Sequence, residues 1–157
     1  MSRDTIERFY AAFDAKDGDA MAAMYAPDAH FHDPVFTDLH GSEPGAMWRM
    51  LTGQAHDLTV ELAEHDDTSA RWIARYTFSQ TGNKVVNDVR ATFAFDDAGL
   101  IADHRDEFGF YPWARQALGA PGLLLGWTPI IKGATRKRAR ASLDKFIAEG
   151  PPHQPQP

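Results

Sequence analysis

The chain has 157 residues, with 16 Lys and Arg against 22 Asp and Glu, a formal charge of −6 and no cysteine. That length suits one domain with a substantial core, and 43% hydrophobic with 11% aromatic residues excludes a disordered chain. The lack of cysteine removes disulfides, thiol nucleophiles, thiolate zinc sites and iron–sulfur clusters; no apolar run reaches the roughly 18 residues of a membrane span.

The amino terminus, Met1-Ser2-Arg3-Asp4-Thr5, has no apolar signal-peptide core, so a cytoplasmic protein is expected. Charge is unevenly spread. Residues 1–131 carry 10 basic and 20 acidic groups, whereas residues 132–157 carry 6 basic and 2 acidic. An acidic body argues against nucleic acid as a partner.

In chain order, Ile6, Phe9, Tyr10 and Phe13 recur at helical spacing and predict a first helix. Asp17-Gly18-Asp19 breaks it, Asp19 is the expected cap of a short second helix, and Pro27 is its expected end. Ala29 to Asp33 alternates like a strand, with Ala29, Phe31 and Asp33 on one face. Ser42 is the expected cap of a third helix bearing Ala46, Met47, Met50 and Leu51. From Asp57 the period changes to two. Four strands follow, one with Trp72, Ala74, Tyr76 and Phe78 on a common face, the next with Val85, Asn87, Val89, Ala91 and Phe93. The last sets Ala102, His104, Asp106, Phe108 and Phe110 on one face. Turns are expected at Thr81-Gly82-Asn83-Lys84 and Asp96-Asp97-Ala98-Gly99. A short helix from Trp113 to Leu118, a Gly/Pro/Leu-rich loop to Pro129, a basic helix from Ala134 to Ala148 and a frayed Pro/Gln-rich end complete the chain. Helices followed by an antiparallel meander give an α+β fold.

The functional signal is polarity on the wrong face. Asp33, Asn87, His104 and Asp106 all fall on the apolar side of their strands. Unpartnered polar groups there cost about 1–3 kcal/mol each, so these four residues point to a polar floor in an apolar cavity. The expected walls include Phe9, Phe13, Phe31, Trp48, Trp72, Tyr76 and Phe108. A carboxylate in such a pocket has a raised pKa and becomes a usable acid or base near neutrality. Asp33, His104 and Asp106 are the candidate catalytic residues, with Asn87 and Tyr76 as hydrogen-bond donors to a ligand. A buried hydrogen-bonded trio that only ties the sheet together is the alternative.

The segment Met24-Tyr25-Ala26-Pro27-Asp28-Ala29-His30-Phe31-His32-Asp33-Pro34, followed by Gly41 and an amphipathic helix, resembles the nuclear transport factor 2-like superfamily. That superfamily includes ketosteroid isomerases, limonene epoxide hydrolases and SnoaL-type polyketide cyclases. The resemblance covers residues 4–111. It implies a cone-shaped curved antiparallel sheet wrapped around N-terminal helices, a ligand cavity inside, and a homodimer through the outer sheet face. The expected division is a barrel over residues 1–111 and a helical extension over 112–157.

Asp33 matches the proton-shuttling aspartate of ketosteroid isomerases, but Phe9 and Ala91 stand where those enzymes keep their two oxyanion donors. The usual steroid isomerisation is therefore not implied, unless Tyr10, Tyr76 or His104 takes the place of a missing donor. His104-Arg105-Asp106-Glu107-Phe108 resembles the last strand of limonene epoxide hydrolases, with Asp106 at the position of their acid. Their earlier Arg-x-Asp pair is missing, because Ile73 follows Arg71 and Thr77 follows Arg75. SnoaL-type cyclases use one aspartate and often a histidine, a chemistry that an Asp106/His104 couple would suit.

His30, His32, His40 and Asp38 cluster in sequence, but His30 and His32 point away from Asp33 on an alternating strand, so no metal site and no cofactor are expected. Leu123, Leu124, Leu125, Trp127, Ile130 and Ile131 precede the basic helix, but its cations suit the acidic body or a partner copy better than a membrane. The expected function is acid/base chemistry, as an isomerase, cyclase or hydrolase, on a small apolar molecule. A non-catalytic ligand-binding or dimerisation module of the same fold is the alternative.

Overall fold

The computed structural model describes residues 2–126 and 128–150. Met1, Trp127 and the Pro/Gln-rich end at 151–157 lie outside the described residues. Helix α1 (Ser2–Asp14) buries the stripe Ile6, Phe9, Tyr10 and Phe13. Helix α2 (Gly18–Ala23) is capped by Asp17, not by Asp19 as its sequence suggests: the Asp17 carboxylate accepts from the Ala20 amide at 3.0 Å. The chain leaves α1 early, through Lys16 at φ 58, so Asp17 is the last non-helical residue. Asp19 instead pairs with Arg49 at 2.7 Å.

Pro27 does not close α2 but lies inside strand β1 (Tyr25–His32). The pairing register of β1 shifts between Tyr25 and His30, and a proline, which has no ladder hydrogen to donate, is tolerated at such irregularities. A short β2 (Leu39–His40) leads to α3 (Glu43–Gln54). Ser42 holds the cap position of α3 without a side-chain cap bond. Strands β3 (Thr59–His65), β4 (Ser69–Thr77), β5 (Lys84–Phe95) and β6 (Ile101–Glu107) form the meander.

The six strands run in the order β2-β1-β6-β5-β4-β3 as one curved sheet. It is not wholly antiparallel, because β1 lies parallel to β6. The intervening helix and meander supply the long connection that a parallel pair needs. The inner face follows period two: Ala70, Trp72, Ala74, Val85, Val89, Ala91 and Phe93 are buried, while the outer face carries ions such as Arg71, which forks onto Asp88 at 3.0 and 2.7 Å.

Strand β6 ends before Phe110, which opens α4 (Phe110–Leu118). The stretch that reads as a loop contains α5 (Ala120–Leu125). A side chain at Gly122 would sit 1.9 Å from the Ala114 carbonyl oxygen, so glycine lets α5 stack on α4. The last helix, α6 (Pro129–Glu149), starts earlier than its basic run and is capped by Thr128. Its Leu143 is fully buried in the same cluster as Phe9, Phe31, Trp48 and Trp72. Arg140 pairs with Glu43 of α3 and Arg136 donates to the Pro34 carbonyl at 2.9 Å, so α6 is clamped over the rim of the sheet. Among the described residues no helix is long and apolar enough to cross a membrane.

Candidate functional site

The alternation of β6 turns His104 and Asp106 inward, and their side chains are 0% and 2% exposed. Both are held by a single relay. The Trp48 indole N–H donates to the Tyr25 hydroxyl oxygen at 2.7 Å, and Tyr25 meets His104 Nδ1 at 2.7 Å. On the other side of the ring, His104 Nε2 meets Asp106 Oδ1 at 2.9 Å. In the neutral tautomer that carries its proton on Nε2, the imidazole accepts the Tyr25 hydroxyl hydrogen at Nδ1 and donates to Asp106. That tautomer satisfies every member of the chain. Aromatic rings seal it: Phe93 stacks on His104 at 4.2 Å, and Phe31 and Phe9 approach edge-on at 4.9 and 5.6 Å.

Asp33 is positioned differently. Asp33-Pro34-Val35-Phe36 is a turn closed by the Asp33 amide donating to the Phe36 carbonyl at 2.9 Å. The Asp33 carboxylate accepts back from the Val35 and Phe36 amides, at 2.7 and 2.5 Å, both at Oδ1. Aspartate followed by proline is a strong turn former for this reason. Burial pushes the Asp33 carboxyl up to about 7; the Phe36 and Val35 amides and Arg136 oppose the rise, and the nearby Asp106 charge adds to it.

A cavity of about 400 Å³ lies between the sheet, α3 and α6, within the range of small-molecule sites. Of the residues singled out from sequence, Asp33, Asp106, Phe13, Trp48, Trp72, Tyr76, Asn87 and Phe108 line it. His104, Phe9 and Phe31 do not reach it; they stand one layer behind, packed on the ring they seal. The cavity thus brings the two carboxylates together and keeps the histidine behind Asp106. Tyr76 accepts from the Trp113 indole at 2.9 Å, which leaves its own hydroxyl hydrogen to donate. The Asn87 side chain has no hydrogen-bond partner among the described residues.

Other lining residues escaped the sequence reading. Phe36 and Gln54 belong to it, as do Ile131, Thr135, Arg138, Ala139 and Ser142 of α6. The Met50 and Leu51 stripe was visible as a helix face, but nothing local indicates that a helix about a hundred residues later closes the same cavity. Two buried donors, Tyr10 Oη and Trp72 Nε1, find no acceptor among the described residues.

On the opposite face of the sheet, His30 Nδ1 meets Asp103 at 2.8 Å and its Nε2 meets Asp38 at 3.3 Å, while His40 lies 4.7 Å away ring to ring. The hydrogen bond from His30 holds the Asp38 carboxyl below its usual range. Among the described residues no group of three or more His, Asp or Glu side chains is arranged to hold a metal ion.

Residues 6–104 match the sequence profile of the SnoaL-like domain. A candidate polyketide cyclase from Silicibacter sp. TM1040 is similar in structure, with a TM-score of 0.59 and 23% identity, over 74% of this chain and 94% of that one. A candidate polyketide cyclase from Xanthomonas campestris pv. campestris gives a TM-score of 0.58 at 21% identity, over 73% and 95% of the two chains. A bacterial protein with a cystatin-like fold from Silicibacter pomeroyi DSS-3 gives 0.58 at 13% identity, over 92% of this chain and 90% of its own. At these identities the likeness concerns the fold. No curated protein shows significant similarity to the chain.

Proposed function

The chain belongs to the SnoaL-like domain family, and on that premise we propose that it catalyses proton transfer on a small, largely apolar carbonyl compound bound in the cavity. The observation that carries this reading is that Asp33 and Asp106, from separate elements, line one apolar cavity. Asp33 is the base. Its Oδ1 is taken by two backbone amides, Oδ2 remains for chemistry, and a pKa of about 7 keeps base and conjugate acid both populated near neutrality.

In the proposed step, Asp33 removes a proton from the carbon next to the ligand carbonyl. The C–H electron pair becomes the enolate double bond and the carbonyl π pair moves to oxygen. The Tyr76 hydroxyl and the Asn87 amide donate to that oxygen, a role suited to donors lining the cavity. Return of the proton to another carbon of a conjugated enolate gives an isomer. Attack of the enolate carbon on a second carbonyl closes a ring, and the protonated Asp33 then neutralises the new alkoxide. Asp106 is the second carboxylate that the ligand meets, and its charge favours the protonated form of Asp33. His104 is a positioning residue that orients Asp106 from behind.

The test uses 2-tetralone, an apolar bicyclic ketone, in deuterated buffer, with exchange of its acidic hydrogens followed by proton NMR. The protein is expected to accelerate exchange, with a rate that rises with pH through about 7. Asp33→Asn should lose about a hundredfold or more. Exchange no faster than in buffer, or an Asp33→Asn variant as fast as the parent, overturns the assignment. Binding of the ketone without exchange would mark a ligand-binding module instead.

A further inference from the structure

Among the described residues, the cavity lining contains a single cationic group, the Arg138 guanidinium of α6. Of the other cations of α6, Arg140 pairs with Glu43 and Asp144, Lys145 pairs with Glu149, Arg136 donates to the Pro34 carbonyl, Lys132 sits over the Phe110 ring, and Lys137 is exposed and does not line the cavity. Arg138 has no carboxylate within ion-pairing distance among the described residues. Its partner is the neutral side-chain carbonyl of Gln80, at 3.1 Å, in the turn between β4 and β5. Gln80 also lines the cavity, and the nearby lining from the same helix, Thr135 and Ser142, is uncharged.

A guanidinium carries five N–H donors in a planar fork that matches a carboxylate or sulfonate, and only one of them is engaged by Gln80. Arg136 and Arg140 are tied to backbone or acid, whereas the α6 cation that lines the cavity keeps donors for a guest. We propose that Arg138 is the specificity-determining residue of this site and selects an apolar carbonyl compound that also bears an anionic group, such as a carboxylate. The ring system of the ligand lies among Trp48, Trp72 and Phe108, and its anion is held between α6 and the β4–β5 turn. The inference rests on the cavity being the ligand site, as in the proposed function, and adds the chemical class of the ligand. It also gives α6 a role beyond covering the sheet: the helix brings the charge that reads the ligand.

Two dyes with one ring system separate the anion from the apolar body. Anilinonaphthalene sulfonate carries the charge, and N-phenyl-naphthylamine lacks it; both are titrated by fluorescence against the full chain. Arg138→Gln is expected to weaken the sulfonate dye about tenfold, as loss of a charge-assisted hydrogen bond at a solvated rim implies, and to change the neutral dye less than about twofold. Ala139→Trp, which fills the α6 side of the cavity, should abolish binding of both. Equal weakening of the two dyes by Arg138→Gln, or no effect on the sulfonate dye, overturns the anion assignment and leaves the acid–base reading intact. Binding of both dyes undiminished by Ala139→Trp places them outside the cavity and overturns the assignment as well. If neither dye binds the parent protein, this inference and the cavity reading fall together, whereas failure of 2-tetralone exchange alone removes only the proton-transfer reading.

Discussion

Strands β1 and β6 carry two histidine–aspartate pairs back to back. His30 lies opposite Asp103 and Phe31 lies opposite His104, so one residue of offset sends the first pair to the outer face and the second pair inward. The bonds are alike in length, 2.8 Å for His30–Asp103 and 2.9 Å for His104–Asp106. Their surroundings differ: the outer side chains are 26% and 51% exposed, the inner ones 0% and 2%. Water competes with the outer pair and screens it, whereas the inner pair has only protein partners, each of which becomes costly when its mate is removed. Geometry makes the two pairs look equivalent. Burial decides that one is sealed in the interior beside the cavity, while the other is a surface feature.

The comparison can be broken at several points. His104→Ala should destabilise the protein by about 3–5 kcal/mol, because it strands a buried Asp106 carboxylate and the Tyr25 hydroxyl together; urea unfolding would show it. A loss below about 1 kcal/mol would mean that the inner pair is as dispensable as a surface one.

Asp33 gives the next effect, in the pH dependence of stability. Its folded pKa, about 7, lies above the unfolded value of 3.8. Between those values the native state keeps a proton that the unfolded state has released, so this group's contribution is full below the lower value and fades as pH rises through the upper one. The loss is on the order of 2 kcal/mol once solvent screening is allowed for. Asp33→Asn should remove that slope, and denaturation midpoints compared at about pH 5 and pH 8 test it. A variant with the parent's slope would assign the effect elsewhere.

Tyr25→Phe removes the link between Trp48 and His104 and should cost about 1–2 kcal/mol, measured as a shift in the thermal midpoint. His30→Ala, the outer counterpart of the first experiment, should change stability by less than about 1 kcal/mol. If His30→Ala matched His104→Ala, burial would not be what separates the two faces.

Much of the fold was legible because period and punctuation are local. The α1 stripe, the alternation along β4, β5 and β6, and the Gly82 and Gly99 turns all appear where the spacing predicts them. Errors arose where a local signal competed with a distant one. Pro27 reads as a helix stop, but β6, which arrives more than seventy residues later, draws that segment into a sheet. The stretch 119–125 reads as a loop from its glycine and proline, but packing on α4 makes it helical.

The candidate site divides in the same way. Alternation alone puts Asn87, His104 and Asp106 on the inner side, because a strand's side chains have a period of two whatever they pack against, whereas Asp33 lies just past the end of β1 and is placed by its turn. Which of those groups reach a ligand cannot be read from parity. His104 is sealed by Phe31 and Phe93, Asp106 and Asp33 open onto one cavity, and Arg138 joins them from a helix outside the sheet. The sequence by itself determined the α+β class and the polar residues on the inner face. Only the tertiary structure decided which of them meet, since the distance between β1, β6 and α6 in space is set by long-range packing and has no counterpart in local spacing.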